Sequence, residues 1–386
     1  MTGPKTMPRF AIYVLLLAAS ALFLLPFVWL VDTSLKPIEQ SVTLPPTWIP
    51  RVYSTELDGR RVEVTRDFVA RQDGFLVEEL RGEEAGRRVF LSPAQLAARS
   101  AEVRVLHPVA AGWWRVTEKL DRKTEGTRLP DWDFVPDEAI DARIRIRWEN
   151  YPRALASLDG GSDDPAAAQT KGRVSFWQFL NNSLIICVLG VIGTVLSNAI
   201  VAYGFARVQW RGRDTFFAIT LATMMVPFPV LMVPLYGVFK ELGWIGTLMP
   251  LWAPAFFGSA FNIFLMRQFF MTIPEELSEA ARIDGGNEWA IFWRVVLPLS
   301  KPVLATAALF HFLFAWNDFL GPLLYLTRKS TFPLSLALQS YQSQNGGVQW
   351  HYLMAASTVT ILPIVVLFFM AQKTFIQGIS TTGSKG

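Results

Sequence analysis

The chain has 386 residues, of which 51% are hydrophobic and only 18% charged, with 29 Phe, 14 Trp and a net charge of +4. Soluble globular domains average about a quarter charged residues, so a string of ordinary water-soluble domains is excluded. The charge is also unevenly placed: residues 33–176 hold 22 Lys/Arg and 23 Asp/Glu, and the other 242 residues share 14 and 9. Most of the chain suits lipid, and one segment suits water. That near-balanced segment gives no basic patch for nucleic acid. The single cysteine, Cys187, leaves no internal disulfide, and His107, His311 and His351 lie far apart with no CxxC or HExxH spacing, so no metal site is expected.

A membrane-spanning helix needs about 20 mostly apolar residues. Phe10–Val31 supplies 22 without a charge, and no small-x-small cleavage site follows it, so it reads as a first span rather than a signal peptide. The polar segment comes next. Arg61–Thr65, Glu102–Leu106 and Arg143–Trp148 alternate polar with apolar, the period-two pattern of half-buried strands. Val89–Leu91 and Trp113–Val116 are shorter candidates. Ser92–Ser100 fits a helix with Pro93 at its first position. Leu129–Pro136 reads as a loop and Asp159–Lys171 as a flexible tether. A small β-rich domain is expected, without any triad, paired-carboxylate or phosphate-loop spacing.

Five more spans follow: Val174–Ala206 (from about Phe179), Thr215–Phe239, Leu242–Met266, Pro302–Leu326 interrupted by Asp318, and Leu353–Gln372. Orientation comes from Lys and Arg near span ends. With the N-terminus inside, the cytoplasmic pieces carry eleven (Lys5, Arg9, Arg207, Arg211, Arg213, Arg267, Arg282, Arg294, Lys301, Lys373, Lys385) and the short outer loops three (Lys240, Arg328, Lys329). Both termini are expected in the cytoplasm and residues 33–176 outside. Polar side chains within spans are costly and mark function or helix–helix bonds; His311, Asn317, Asp318, Asn182 and Asn262 are the candidates, for pathway or packing. Pro227, Pro229 and Pro234 interrupt the third span, which points to a hinge or a pathway lining.

Between spans four and five, Thr272-Ile273-Pro274-Glu275 begins a helix, with Thr272 as cap and Glu275 completing a capping box. Leu277, Ala280, Ala281 and Asp284 fall on one side. Gly285-Gly286 stops the helix. Asn287 caps a second one, in which Trp289, Phe292, Val295 and Val296 share a face until Leu297-Pro298. The expected product is a bent pair of helices with Glu279, Ala280 and Ala281 at an exposed corner. The bland alternative is a connector lying on lipid headgroups, although alanine anchors poorly in lipid.

Glu279-Ala280-Ala281, Gly285 and Val295-x-Leu297-Pro298, at their spacing here, resemble the EAA loop of permease subunits of bacterial ABC importers, with Val295 where the family usually has Ile. Pro26–Trp29, Thr33–Lys36, Pro45–Pro50, Trp148–Tyr151, Asn182–Leu184, Tyr203–Arg207, Met224–Pro227, Ala315–Phe319 and Gln377–Ile379 resemble the carbohydrate-type, maltose-like permeases. Roughly residues 52–147 depart from that pattern as an insertion. The resemblance implies an all-α integral membrane protein of six transmembrane helices with a cytoplasmic coupling loop, 272–298. The small β-rich extracytoplasmic domain would then be inserted between helices 1 and 2. It divides the chain into 1–50, 51–147 and 148–386.

By the same resemblance the chain is a non-catalytic permease subunit in the bacterial inner membrane. It lacks the GxxxxGK[ST] phosphate cradle; ATP and Mg would be bound by a partner ATPase dimer. The ATPase would be contacted through Glu279, Ala280, Ala281, Asp284, Gly285, Leu297 and Pro298. The tail at Gln377, Gly378 and Ile379 would be a second contact. Other implied partners are a second permease subunit, an extracytoplasmic substrate-binding protein and membrane lipid, and the implied solute is a sugar or oligosaccharide. The competing reading, a membrane-anchored receptor with a ligand-sensing outer domain, explains the insertion but not the loop.

Overall fold

The computed structural model describes residues 9–41, 43, 47–57, 59–80, 87–119, 132–158, 174–339, 341 and 349–382, with side chains from 10 to 372. It divides into two compact units, Met1–Asn150 and Tyr151–Gly386.

The first unit opens with helix α1 (Arg9–Ser34), three residues longer at its end than the uncharged run predicts. It is apolar all round, and Phe10, Leu17, Leu22 and Phe23 are exposed, as a lipid-facing helix requires. The polar segment forms β1 (Arg51–Leu57), β2 (Arg60–Val69), β3 (Gly74–Glu79), β4 (Arg88–Leu91), α2 (Pro93–Arg99), β5 (Val103–Val109), β6 (Trp114–Glu118), β7 (Trp132–Val135) and β8 (Asp141–Ile144). These make an antiparallel five-stranded sheet in the order β7-β6-β2-β1-β8 and a three-stranded sheet β4-β3-β5. Leu57, Val64, Val116, Val135 and Ile140 form one core, and Leu76, Val109 and Phe134 a second that takes residues from both sheets. Ser92 and Gln95 make a full capping box ahead of α2.

Three expectations change here. Trp132–Val135 is a strand, not part of a loop, because Phe134 supplies a buried ring packed among Phe68, Phe90 and Trp132. The strand predicted over Arg143–Trp148 ends at Ile144. Its alternation has no buried face: Ile144, Ile146 and Trp148 are all exposed on a sheet edge. Strand β1 is unexpected, although Asp58-Gly59 between two β-rich runs is a strong hairpin signal in the sequence, and Leu57 pairs with Arg60. The tether at Asp159–Lys171 lies outside the described residues.

The polar region enters and leaves at one place. β1 and β8 are neighbours, with Arg51 opposite Ile144. Beyond the ladder, Arg145 N–H donates to Pro50 O (3.2 Å) and Arg147 N–H to Leu35 O (3.1 Å). The buried Asn150 amide donates to both Ser34 O (2.8 Å) and Lys36 O (2.9 Å). The chain thus closes a ring of about a hundred residues just after α1.

In the second unit, α3 (Asn150–Ser157) leads to α4 (Phe176–Ala206). Then come α5 (Arg213–Ala222), α6 (Phe228–Glu241), α7 (Met249–Trp252) and α8 (Ala260–Phe270). They are followed by α9 (Glu275–Ile283), α10 (Glu288–Ile291), α11 (Leu297–Leu299), α12 (Lys301–Asn317), α13 (Leu320–Tyr325), α14 (Leu334–Ala337) and a last helix, Trp350–Thr382. Helix α4 is the hub and packs on α8 and α12. Close approach is possible because Gly190 faces His311, and because a Cβ on Gly193 would lie 2.5 Å from the Phe256 ring. Side-chain bonds lock the bundle: Ser183 Oγ accepts from Leu334 N–H (2.8 Å), and Trp316 Nε1 donates to Thr360 O (3.1 Å).

Among the described residues, four helices are long and apolar enough to cross a membrane: Phe10–Ser34, Phe176–Ala206, Met249–Phe270 and Trp350–Gln372. Two bent pairs raise the number to as many as six, Arg213–Met225 with Phe228–Glu241 (100°) and Glu288–Leu299 with Lys301–Asn317 (78°). The predicted span Leu242–Met266 is displaced to 249–270, since Gly243 and Gly246 take positive φ and turn the chain first. Pro302–Leu326 is not one helix: it stops at Asn317, where Asp318 is extended and its Oδ1 accepts the Gly321 N–H at 3.1 Å to start α13.

Candidate functional site

The loop from Thr272 to Ser300 is built from local chemistry. Helix α9 starts at Glu275 with Pro274, not Thr272, at its N-cap; no side chain caps it, and the predicted capping box is absent. Thr272 Oγ1 instead donates to Phe269 O at 2.7 Å. Glu275 and Glu276 fill the first turn, where negative charge favours the helix dipole. The end of α9 is a Schellman motif: Gly286 N–H reaches Ala281 O (2.8 Å) and Gly285 N–H reaches Arg282 O (3.0 Å). Both glycines are needed, for different reasons. Gly285 has φ +81° with open space where a side chain would be, whereas a Cβ on Gly286 would meet Ala281 O at 2.7 Å.

Asn287 Oδ1 then accepts the Ala290 N–H at 2.8 Å and starts α10. The second helix does not end at Leu297-Pro298. It widens into a π-turn over Phe292–Val296 and continues as α11 to Leu299. Pro298 has no N–H to give Arg294 O, and its ring would strike that carbonyl in an ordinary turn, so the helix passes it by widening.

Burial separates two faces. Ile273, Ile291, Phe292 and Val296 join Tyr203, Met266, Phe270, Val303 and Ala307 in one apolar cluster, on which Ala281 and Leu297 also rest. Ala281 is therefore turned inward, not displayed at the corner as predicted, and Trp289, with its ring edge-to-face 6.1 Å from that of Phe292, is largely exposed. The outward face carries Glu279, Ala280, Asp284, Gly285 and Pro298. Leu277, Trp289, Trp293 and, at 86% exposure, Ile283 add large apolar groups to it. Among the described residues the Glu279 carboxylate has no hydrogen-bond partner.

Polar groups strap the loop to the bundle, and sequence reasoning missed them. Arg207, the C-cap of α4, donates to the carbonyls of Phe270 (2.7 Å) and Ile273. Arg267 of α8 returns the bond to Phe205 O (3.2 Å). Each arginine satisfies the open C-terminal carbonyls of the other's helix. Glu288 accepts from Tyr203 Oη (2.5 Å) and Arg282 Nε (3.1 Å). Its carboxyl is held below the usual carboxylate range, first by the Tyr203 hydrogen bond and, against partial burial, by Arg282. Arginines at helix ends were the available signal, but they read only as orientation charges.

The remaining candidates do not assemble into one site. Asn182 Nδ2 donates to Ser330 O (2.9 Å) and Phe332 O (3.0 Å), and Ser335 Oγ donates to Asp318 O (2.7 Å), so both hold the 330–335 segment. Asn317 Nδ2 bonds back to Leu313 O, and Asn262 stays local with Ser259. Of the three prolines, only Pro227 sits at the 100° break; Pro229 falls in the first turn of α6, where no amide is needed, and Pro234 lies inside that helix. The side chains of Gln377 and Ile379 lie outside the described residues, as does any contact of Gly378; their backbone continues the last helix.

Residues 176–381 match the family described as binding-protein-dependent transport system inner membrane component. The arabinooligosaccharides transport system permease protein AraQ of Halalkalibacterium halodurans is 36% identical over 211 residues, 55% of this chain and 75% of the relative. YurM of Bacillus subtilis, described as a probable ABC transporter permease protein, is 31% identical over 295 residues, 73% of this chain and 96% of the relative. A crystal structure of a bacterial ABC transporter involved in the import of the acidic polysaccharide alginate matches with TM-score 0.51 and 26% identity, over 63% of this chain and 82% of that one. The chain therefore belongs to the binding-protein-dependent transport system inner membrane components, the permease subunits of ABC importers.

Proposed function

We propose that this permease forms half of the translocation pathway of a saccharide importer, and that residues 272–298 couple it to a separate ATPase dimer which holds the ATP and Mg. The observation that carries the reading is the loop's outward face. A glycine corner presents Glu279 beside exposed Leu277, Ile283, Trp289 and Trp293, an apolar surface with one carboxylate suited to a partner protein. The saccharide class rests on the relatives, AraQ and the alginate importer. The other partners would be a second permease subunit and an extracytoplasmic binding protein. Six spans, taking Arg213–Glu241 as one and Lys301–Asn317 as another, bring both termini to one side, and the Lys/Arg bias makes that side the cytoplasm and residues 33–176 extracytoplasmic.

The polar region is read as a domain inserted into a permease core. The family match begins at residue 176 and leaves the β-rich segment outside it. The closed ring at Ser34–Asn150 would let such an insertion stand without disturbing the spans.

The test is co-expression with an ATPase subunit and a second permease. The ATPase should co-purify. Glu279→Lys and Gly285→Val should leave the chain inserted and lower binding-protein-stimulated ATP hydrolysis several-fold, about the loss of one charge-assisted contact. Purification of the chain alone, or both variants at the unmodified rate, refutes the coupling role. For topology, in a Cys187→Ser background, an impermeant thiol reagent on intact cells should label Glu138→Cys and spare Asp214→Cys; the reverse pattern refutes the orientation.

A further inference from the structure

The loop has a weak joint. Across Gly285-Gly286, α9 and α10 are connected by the least restrained backbone available. The joint between the loop and the end of α4 is also incompletely packed: an apolar hollow of about 190 Å³ lies there, lined by Ile200, Gly204, Val208, Trp289 and Phe292 together with Tyr203 and Glu288. What spans both gaps is one carboxylate. Glu288, at the start of α10, takes the Arg282 Nε–H from α9 and the Tyr203 hydroxyl from the last turn of α4, one on each oxygen.

The two legs differ in strength. Arg282 and Glu288 side chains are 38% and 46% exposed, and exposed ion pairs contribute little. Tyr203 is buried, with its ring 5.1 Å from that of Phe292, so its hydroxyl approaches Glu288 from a fixed direction. A hydrogen bond to a charged acceptor from a pre-positioned donor is the stronger kind.

We infer that Glu288 is a positioning residue for the coupling step, a brace that makes α9, α10 and the adjoining end of α4 move as one body. A force applied at the exposed corner then reaches α4 instead of being absorbed by flexing at the glycines. The inference rests on the reading of 272–298 as the ATPase-coupling loop and adds the residue that stiffens it. Arg282 supports the brace, and Tyr203 anchors it.

The test uses the assembled complex with spin labels at Ile283→Cys and Val188→Cys, both exposed, in a Cys187→Ser background. ATP with vanadate is the probe. Immobilisation of the label at 283 when the ATPase is present reports docking of the loop. The 188-to-283 distance should change by less than about 2 Å on trapping in the otherwise unmodified chain. In Tyr203→Phe and Glu288→Ala it should shift or spread by about 5 Å, one helical turn. The double variant should be no worse than either single one, and Arg282→Ala should have a smaller effect. Glu288→Gln, whose amide oxygen still accepts from Tyr203, should fall between. If 283 is immobilised and the variants stay as rigid as the unmodified chain, the brace is wrong and the coupling reading survives. Equally, an unmodified chain that already flexes overturns the brace. Should 283 remain mobile with the ATPase bound, the coupling reading falls and the brace with it.

Discussion

The glycine corner allows a graded experiment, because Gly285 and Gly286 are required for separable reasons. Gly285 has φ +81° and nothing within 4 Å of the point where a Cβ would stand, so substitution there meets only the backbone penalty. For an L-residue held left-handed that is about 1–2 kcal/mol. Asn tolerates the region better than Ala, and a β-branched residue worse. At Gly286 the added Cβ would lie 2.7 Å from Ala281 O, the oxygen that accepts Gly286's own N–H. Gly286→Ala carries no left-handed penalty and must instead displace that capping hydrogen bond, at a cost of about 1–3 kcal/mol. The predicted order of damage is Gly285→Asn, then Gly285→Ala, then Gly286→Ala and Gly285→Val. Amide hydrogen exchange of residues 275–299 in the permease without its ATPase reads this free of partner contacts. A loss of 1–2 kcal/mol should speed exchange of the Asp284–Gly286 amides roughly 5- to 30-fold. Asn as damaging as Val would refute the left-handed requirement, and an innocuous Gly286→Ala would refute the steric one.

Asn150→Ala removes two hydrogen bonds of a buried amide, so thermal unfolding of the purified chain should show a loss of about 2–3 kcal/mol; an unshifted transition would refute the closing role of Asn150. Replacing residues 52–147 by a short Gly/Ser linker should leave insertion and assembly intact while raising the binding-protein concentration for half-maximal stimulation. Failed assembly would instead make the insertion structural. Glu288, its carboxyl lowered in the folded state, contributes stability that is complete above about pH 4.5 and fades as pH falls through its depressed value. Loop protection followed by exchange should thus decline on acidification in the unmodified chain and vary less in Glu288→Gln; parallel pH curves would refute this.

Composition and local spacing determined a good deal of this protein. Uncharged runs located the apolar helices, because lipid tolerates no unpaired charge. Gly285-Gly286 and Asn287 announced a corner and a cap through backbone chemistry confined to a few residues. The alternation at Arg61–Thr65 and Glu102–Leu106 announced strands. What sequence reasoning could not reach depends on residues distant along the chain. Tyr203 and Glu288 are 85 positions apart, and Arg207 meets Phe270 and Ile273 only because α4 and α8 end side by side. The Arg143–Trp148 alternation shows the same limit from the other side. Its pattern was right for a half-buried strand, but whether a face is buried is decided by what packs on it, and Ile144, Ile146 and Trp148 remain largely exposed. Likewise Pro227, Pro229 and Pro234 look alike in sequence, yet only Pro227 marks a break: Pro229 falls in the first turn of α6, where no amide is needed, and Pro234 is carried inside that helix without ending it.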